Sequence, residues 1–382
     1  MPDTLGVIGG GQLGAFFVRA AKSLGFRTMV LEPDPHSPAG AIADIHLIAA
    51  YDDATSLQQM AETCRGVTIE FENAPTTSLQ FLAQHTIVQP AADAVAITQD
   101  RRREKLFCVS IGLATAPFAV IESADDISSL DITFPAILKT AQLGYDGKGQ
   151  RRVTTTEQVR DAWYGFGCVP CVLEQIVPLQ AELSVIVARN HEGNTVAFAP
   201  TLNVHVNGIL DASTAPLTIR QLDQHGILKP SDLLAEAQNA ARHIAQQLNY
   251  VGVLGIEFFI ASDCLLVNEL APRPHNSGHW TIDATLCSQF EQQVRILAGL
   301  PLGDTAMIRP AVAMVNLLGE HWPLGEQYAA LESLRHHEYL YPYGKQQARP
   351  GRKMGHITVC GSDADTALGR ARQLRDDFAQ QH

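Results

Sequence analysis

A chain of 382 residues, 46% apolar and 18% charged, is long and apolar enough for roughly two or three packed domains. Its 28 Lys and Arg against 40 Asp and Glu leave a net charge of −12. That balance excludes a broad cationic face for nucleic acid or an anionic membrane, though not a local cationic pocket around a small phosphorylated ligand. No apolar run approaches the length of a membrane-spanning helix, and a glycine cluster precedes any long apolar run, the wrong order for a secretory leader. A cytoplasmic protein is expected, and the seven scattered cysteines read as reduced thiols. Cys168-Val-Pro-Cys171 has redox or zinc spacing, but with no second pair and no nearby His it reads as two thiols beside a strand start.

In chain order, Leu5–Ile8, Thr28–Leu31, Ile45–Ile48, Val67–Glu70 and Thr86–Val88 have the apolar texture of strands. Gln12–Leu24, Ala54–Cys64 and Thr76–Gln84, lying between them, have that of amphipathic helices. This alternation predicts βαβ units and a parallel sheet over residues 1–98. A basic stretch, Gln99–Lys105, opens a β-rich segment over 99–305 with a long helical stretch at Leu233–Leu248. The last segment, 306–382, runs from an apolar strand, Ala311–Leu317, to a polar helix, Asp363–Phe378. The polar stretch Gln221–Pro230 carries no assigned role, and His85, His336 and His337 read as surface histidines.

Gly9-Gly-Gly-Gln-Leu-Gly14 fits G-x-G-x-x-G between a strand and a helix, with Glu32 about 20 residues on. Such a loop offers backbone N–H groups to negative charge, so it suits a dinucleotide, another phosphate ligand or a structural turn. The nicotinamide reading, an oxidoreductase, lacks a hydride-transfer constellation downstream and is followed by a rigid Pro33–Pro38 loop.

Three features follow in the middle segment. Phe134–Lys139 is a strand ending in a lysine, followed by the glycine-rich Gly144-Tyr-Asp-Gly-Lys-Gly-Gln150, a way to place a cation and backbone donors around a nucleoside triphosphate without Walker spacing. Val172–Val177 and Glu182 could offer an adenine edge its backbone partners and the ribose a carboxylate, although taken alone the stretch reads as a bare edge strand. Gly255–Ile260, a three-residue turn and Cys264–Leu270 predict a hairpin with Glu257 and Glu269 opposite each other on one face. Two carboxylates in apolar strands need a cation, either Mg²⁺ bridging phosphates or one Arg such as Arg273.

Lys139, the 144–150 loop, Glu174–Val177, Glu182 and the Glu257…Asn268-Glu269-Leu-Ala-Pro-Arg273 hairpin together resemble the ATP-grasp superfamily. With Glu70-Phe-Glu-Asn73, Arg273–Trp280 and Tyr343-Gly-Lys345…Arg349-Pro-Gly-Arg-Lys-Met-Gly-His356, the chain resembles the N5-carboxyaminoimidazole ribonucleotide synthases of de novo purine synthesis over nearly its whole length. The resemblance implies an α/β (α+β overall) ATP-grasp fold with an N-terminal Rossmann-like domain and a small C-terminal domain. It also implies ATP-dependent carboxylation of 5-aminoimidazole ribonucleotide by bicarbonate through carboxyphosphate. The alternative is another ATP-grasp ligase, such as a formate-dependent ribonucleotide formyltransferase.

By that resemblance Arg101, Lys139, Gly144, Tyr145, Asp146, Gly147, Lys148, Gly149, Gln150, Glu174, Gln175, Ile176, Val177, Glu182, His205, Asn268 and Glu269 bind ATP, with Glu257 and Glu269 on Mg²⁺. Gly11, Gln12, Leu13, Arg273, Lys345 and Arg352 hold the ribonucleotide's phosphate, while Glu72, Tyr145 and Asp146 face its aminoimidazole. Arg273, His275 and Asn276 take bicarbonate, with His275 either handling a proton or orienting substrate. A homodimer with small-molecule substrates is expected. Two departures stand beside the ATP contacts: Leu143, where relatives often carry glycine, and Leu202, where a polar residue is usual.

Overall fold

Residues 3–144, 149–322 and 334–379 are described by the computed structural model. Tyr145, Asp146, Gly147 and Lys148 lie outside them. In the first segment, β1 (Thr4–Ile8) and β2 (Arg27–Leu31) are short, apolar and buried almost throughout, as a strand covered on both faces must be. The order continues α1 (Gln12–Ser23), β2, β3 (Ile45–Leu47), α2 (Ala54–Thr63), β4 (Cys64–Ile69), α3 (Thr76–Ala83) and β5 (Ile87–Val88). The five strands form one parallel sheet in the order β3-β2-β1-β4-β5. The Asp53 carboxylate caps α2 by accepting from Ser56 N at 2.8 Å.

After α4 (Ala92–Thr98) and α5 (Arg101–Ser110) come β6 (Phe118–Ile121), α6 (Ala124–Ser128), β7 (Ala136–Thr140), β8 (Gln150–Val153), α7 (Thr156–Gly165) and β9 (Cys171–Gln175). Their strands make a small antiparallel sheet, β6-β9-β7-β8. Next are β10 (Leu179–Arg189), β11 (Thr195–Ala197), β12 (Thr201–Val206), β13 (Ile209–Ala215), α8 (Ile219–Gln224), α9 (Pro230–Gln247), β14 (Gly252–Ala261), β15 (Cys264–Ala271), α10 (Thr281–Ala284) and α11 (Gln289–Leu297). The chain ends with β16 (Ala311–Leu318), β17 (Glu338–Pro342), β18 (Lys353–Gly361) and α12 (Ala364–Ala379). Helix α9 begins with Pro230 at its first turn, where a missing N–H costs nothing. The 221–230 stretch supplies a cap: Gln221 and Thr218 bond reciprocally around the start of α8.

One nine-stranded sheet runs β15-β14-β10-β12-β13-β16-β18-β17, with β11 beside β10. It crosses the 305/306 division, because β13 pairs antiparallel with β16. Met314 and Val312 of β16 accordingly share a buried cluster with Ile186, Val253 and Trp280. Helix α11 joins this sheet to the first one: Val294 and Leu297 pack with Leu5, Val7 and Phe17, and Gln293 Nε2 donates to Thr68 Oγ1 at 2.9 Å.

Two local expectations change. The β14–β15 turn has two residues rather than three, since Ala261 pairs with Cys264 and Ser262 and Asp263 are both left-handed, at φ 51° and 58°. Leu143 is left-handed as well, at φ 62°, and exposed, so its backbone is one that glycine adopts without strain. Leu202 sits in β12 and packs against the main core. Cys168 is exposed and Cys171 buried, both as free thiols.

Because Met314 is fully buried where the two sequence segments share a sheet, Met314→Ala should destabilise the protein by about 2–5 kcal/mol, read as a lower urea midpoint.

Candidate active site

The order of the parallel sheet reverses between β1 and β4, and open α/β sheets place ligands outside the carboxyl ends of the strands at such a point. The glycine loop leaves β1 there and Glu70–Asn73 leaves β4. A cavity of about 620 Å³ opens at this position, walled by Gln12, Leu13 and residues 70–73 on one side and by Lys345, Arg349, Arg352 and Lys353 on the other. Arg273, His275 and Asn276, from the loop after β15, close its floor.

Most of the glycine loop's donors already have partners. Gly10 N donates to Glu32 Oε2 at 2.8 Å, Gly11 N to Glu70 Oε1 at 2.5 Å and Gly14 N to Glu70 Oε2 at 2.9 Å. Glu32 also accepts from Asp34 N at 3.0 Å and from Tyr51 Oη at 2.7 Å. The donors and the carboxylate that a dinucleotide would need are thus engaged inside the protein, which removes the basis of the nicotinamide reading. Gly11 faces Glu70, whereas Gln12 and Leu13 line the cavity from the first turn of α1, whose N–H groups have no partner within the helix.

A second cavity, of about 290 Å³, lies between the small antiparallel sheet and the nine-stranded one. Arg101, Lys139, Gly144, Gln150, Glu182, His205, Asn268, Glu257 and Glu269 line it. Glu257 and Glu269 are direct partners across β14 and β15, with a register shift just after Glu257. Burial pushes the Glu257 pKa up, reinforced by the Glu269 and Glu182 charges and opposed by His205. Asn268 Nδ2 reaches Glu257 Oε2 at 3.3 Å. Arg101 Nη1 pairs with Glu269 at 3.2 Å and its Nη2 donates to the Gly144 carbonyl at 3.5 Å, so the Arg partner of the acidic hairpin is Arg101 rather than Arg273. His205 Nδ1 contacts Glu182, whose strand β10 lies beside β12 in register Glu182–Asn203.

Residues 174–177 do not line this cavity. Glu174 is buried behind Lys139, at 3.1 Å, and Lys105, at 3.3 Å. Gln175 N and Ile176 N donate to the Pro117 and Pro135 carbonyls, both at 2.9 Å, and the Val177 carbonyl accepts from Leu179 N at 2.8 Å. Gly149 stands against Thr140, whose Oγ1 lies 2.6 Å from where a Cβ would be.

The two cavities share one wall: Glu72, Arg273, His275, Asn276 and Lys353. Arg273 Nε donates to Glu72 Oε2 at 2.8 Å. Burial would raise the Glu72 pKa, but the charge and hydrogen bond of Arg273 prevail and bring it down to about 2. The His275 backbone is clamped by Gln289, which accepts from His275 N at 2.9 Å and donates to His275 O at 2.8 Å. Burial, with the charges of Arg273, Lys353 and His205, holds the His275 imidazole far below its ordinary pKa, hence neutral. Ser277 N donates to Nδ1 at 3.3 Å, so the ring hydrogen sits on Nε2, 3.4 Å from Glu257 Oε1. Asn276 and Asn316 exchange amide hydrogen bonds at 3.1 and 2.7 Å.

The sequence reading gave no individual site role to Lys105, Lys353, Glu70, Gln289 or Asn316. Lys105 was within reach, since it lies four residues after Arg101 on the same helical face. Gln289 and Asn316 act only through the packing of distant segments, and no local pattern marks them.

Comparison with known proteins completes the picture. The ribonucleotide synthetase preATP-grasp domain family matches residues 2–99, the ATP-grasp domain family 106–290, and the phosphoribosylaminoimidazole carboxylase C-terminal domain family 312–370. An N5-carboxyaminoimidazole ribonucleotide synthase from Brucella melitensis is 42% identical over 365 residues, spanning 93% of this chain and 96% of its own. The chain belongs to the N5-carboxyaminoimidazole ribonucleotide synthase family. A synthetase of this family solved with ADP superposes at TM-score 0.88 with 37% identity, covering 100% of this chain and 99% of that one. The Aspergillus clavatus family member, solved with ADP and 5-aminoimidazole ribonucleotide, superposes at TM-score 0.85 with 26% identity, covering 98% and 99%.

The family's shared wall makes an acid-sensitivity prediction. Burial opposes ionisation of Glu174 too, but Lys139 and Lys105 bring its pKa down to about 2. Folded-state values below the ordinary 4.5 mean that the stabilisation from Glu72 and Glu174 is complete above about pH 4.5 and is lost as pH falls toward about 2. The urea midpoint should therefore drop across that window. Glu174→Gln should be less stable at pH 7 yet show a shallower drop below pH 4.5.

Proposed function

We propose that this chain is an ATP-dependent carbon–nitrogen ligase that carboxylates 5-aminoimidazole ribonucleotide with bicarbonate, giving N5-carboxyaminoimidazole ribonucleotide, ADP and phosphate in de novo purine synthesis. The observation that carries this reading is the wall common to both cavities. A triphosphate on the side of Glu257 and Glu269 and a ribonucleotide on the side of the glycine loop would meet, among the described residues, across Glu72, Arg273, His275, Asn276 and Lys353. A small shuttling intermediate suits that geometry, because it has a short path between the two reacting ends.

In the first step a bicarbonate oxygen attacks the γ-phosphorus and ADP leaves, forming carboxyphosphate. In the second the exocyclic amine attacks the carboxyl carbon, the C–O bond to phosphate breaks, phosphate leaves and the nitrogen loses a proton. Arg273 has its Nε committed to Glu72 and its Nη1 donating to the Pro274 carbonyl at 3.2 Å, which leaves Nη2 for an anion on the wall in this reading. The neutral His275 is an orienting donor from Nε2 in this reading. Asn276, held by Asn316, presents a fixed amide.

The cation for the triphosphate is Mg²⁺, with Glu257 and Glu269 as its protein ligands. Two facing carboxylates with one pKa raised fit a hard cation, and no group of three His, Cys, Asp or Glu among the described residues would hold a metal without the substrate. Bound there, Mg²⁺ would neutralise phosphate charge and polarise the γ-phosphoryl group. Arg101 and Lys139 flank the same space. Gln12, Leu13, Lys345 and Arg352 would take the ribonucleotide phosphate, a dianion that calls for charge-assisted donors. A cytoplasmic homodimer completes the proposal, on the family resemblance.

Phosphate release should require ATP, bicarbonate and the aminoimidazole ribonucleotide together. Equal release with formate and a glycinamide-type acceptor, and none with this one, would reject the proposal. Glu269→Gln should lower turnover by roughly 10²–10³-fold or more while the far-UV circular dichroism stays that of the wild type.

A further inference from the structure

The glycine loop poses a question that the reaction itself does not answer. Its spacing is that of a phosphate-binding loop, yet its N–H groups at Gly11 and Gly14 are spent on Glu70. The glycines are also required by that carboxylate. A Cβ at Gly9 would lie 2.3 Å from Glu70 Cγ, and one at Gly11 would lie 2.6 Å from Glu70 Oε1. Either contact is far inside van der Waals distance, so the loop and the acid fit only as a pair.

Glu70 is held by the sheet rather than by the loop. It directly follows β4, and its own N–H donates to the Ile8 carbonyl at 3.1 Å, at the end of β1. Glu70 is half-buried and itself lines the cavity; burial raises its pKa, against the Gly14 and Gly11 hydrogen bonds and the charge of Lys345 across the cavity. A rigid strand end thus grips the first turn of α1 by both oxygens of one carboxylate. The next two residues of that turn, Gln12 and Leu13, form the cavity wall.

We propose that Glu70 is a positioning residue for the acceptor's phosphate: it fills the inner anion-binding face of the glycine loop and so fixes Gln12 and Leu13 as the outer, phosphate-binding face. The inference rests on the reading that the acceptor ribonucleotide binds in the 620 Å³ cavity. It also gives the loop a specificity. A monoester needs only the outer face, whereas a diphosphate spread along the loop would need the donors that Glu70 holds.

The test uses Glu70→Gln and Glu70→Ala beside the wild type. A carboxamide offers one acceptor oxygen where two backbone donors converge, so one of them faces an NH₂ group. In the phosphate-release assay the apparent KM for the ribonucleotide should rise at least tenfold, while the KM for ATP stays within twofold and the KM for the dephosphorylated nucleoside stays unchanged. A ribonucleotide KM within twofold of wild type overturns the proposal, as does a lowered one, which would mean that Glu70 repels the phosphate. Both substrate KM values rising together with a lower melting temperature would also overturn it, in favour of a purely structural role. Amide exchange in the ligand-free protein provides a readout without turnover. The backbone amides of Gly11 and Gly14 should exchange at least tenfold faster in Glu70→Ala, and unchanged exchange rejects the grip. Should the wild type itself release no phosphate with the ribonucleotide, the functional reading fails, and the exchange data alone decide on Glu70.

Discussion

Glu72 and Arg273 are 201 positions apart in sequence and joined by a 2.8 Å hydrogen bond in the fold. The loop after β4 carries one and the loop after β15 the other, so this ion pair holds the parallel sheet against the nine-stranded one where their cavities touch. The half-buried guanidinium of Arg273 needs a charged partner, because a charge withdrawn from water without one is costly. The constraint works in both directions. Glu72 partners the charge of Arg273, and Arg273, which also donates Nη1 to the Pro274 carbonyl at 3.2 Å, holds Glu72 ionised where the two cavities meet.

The same economy recurs around the smaller cavity. Arg101 leans on Glu269, while Lys139 and Lys105 converge on Glu174. Among the described residues, Arg101 has a carboxylate partner in Glu269 and the two lysines share Glu174, which limits the cost of burying these cations without ligand. The net charge of −12 therefore says little about the interior. It describes mostly the outside of a molecule that sets a minority of its cations, Arg101, Lys139, Arg273, Lys345, Arg349, Arg352 and Lys353, on the two cavities.

Much of this was legible in the sequence, for physical reasons that differ from place to place. The β1–β5 segment could be read because strands covered on both sides are uniformly apolar, and because helices between them show their own period. The facing of Glu257 and Glu269 followed from strand periodicity alone and survived a mistake of one residue in the turn, since Ser262 and Asp263 close the hairpin in two residues. The chemistry of the glycine loop could not be read locally. Its donors are claimed by Glu70 and Glu32, and only the sheet that brings β4 beside β1 reveals this. In the 174–177 segment the Gln175 and Ile176 N–H groups look available in sequence, but they bond to two proline carbonyls from neighbouring segments.

The pairing of β13 with β16 also bears on how such a chain could be rebuilt. A recombinant exchange of segments between relatives is easiest where no hydrogen-bonded ladder is severed. A junction at residues 305–306 would look natural from sequence, yet it would hand one half of the ladder Ala212–Val315 through Ala215–Val312 to a foreign partner and expose two strand edges to aggregation if the match were poor. The first sheet ends at β5 and shares no strand with the other two. Among the described residues, the strand ladders leave a seam near residue 98, whereas beyond it they cross the 305–306 junction.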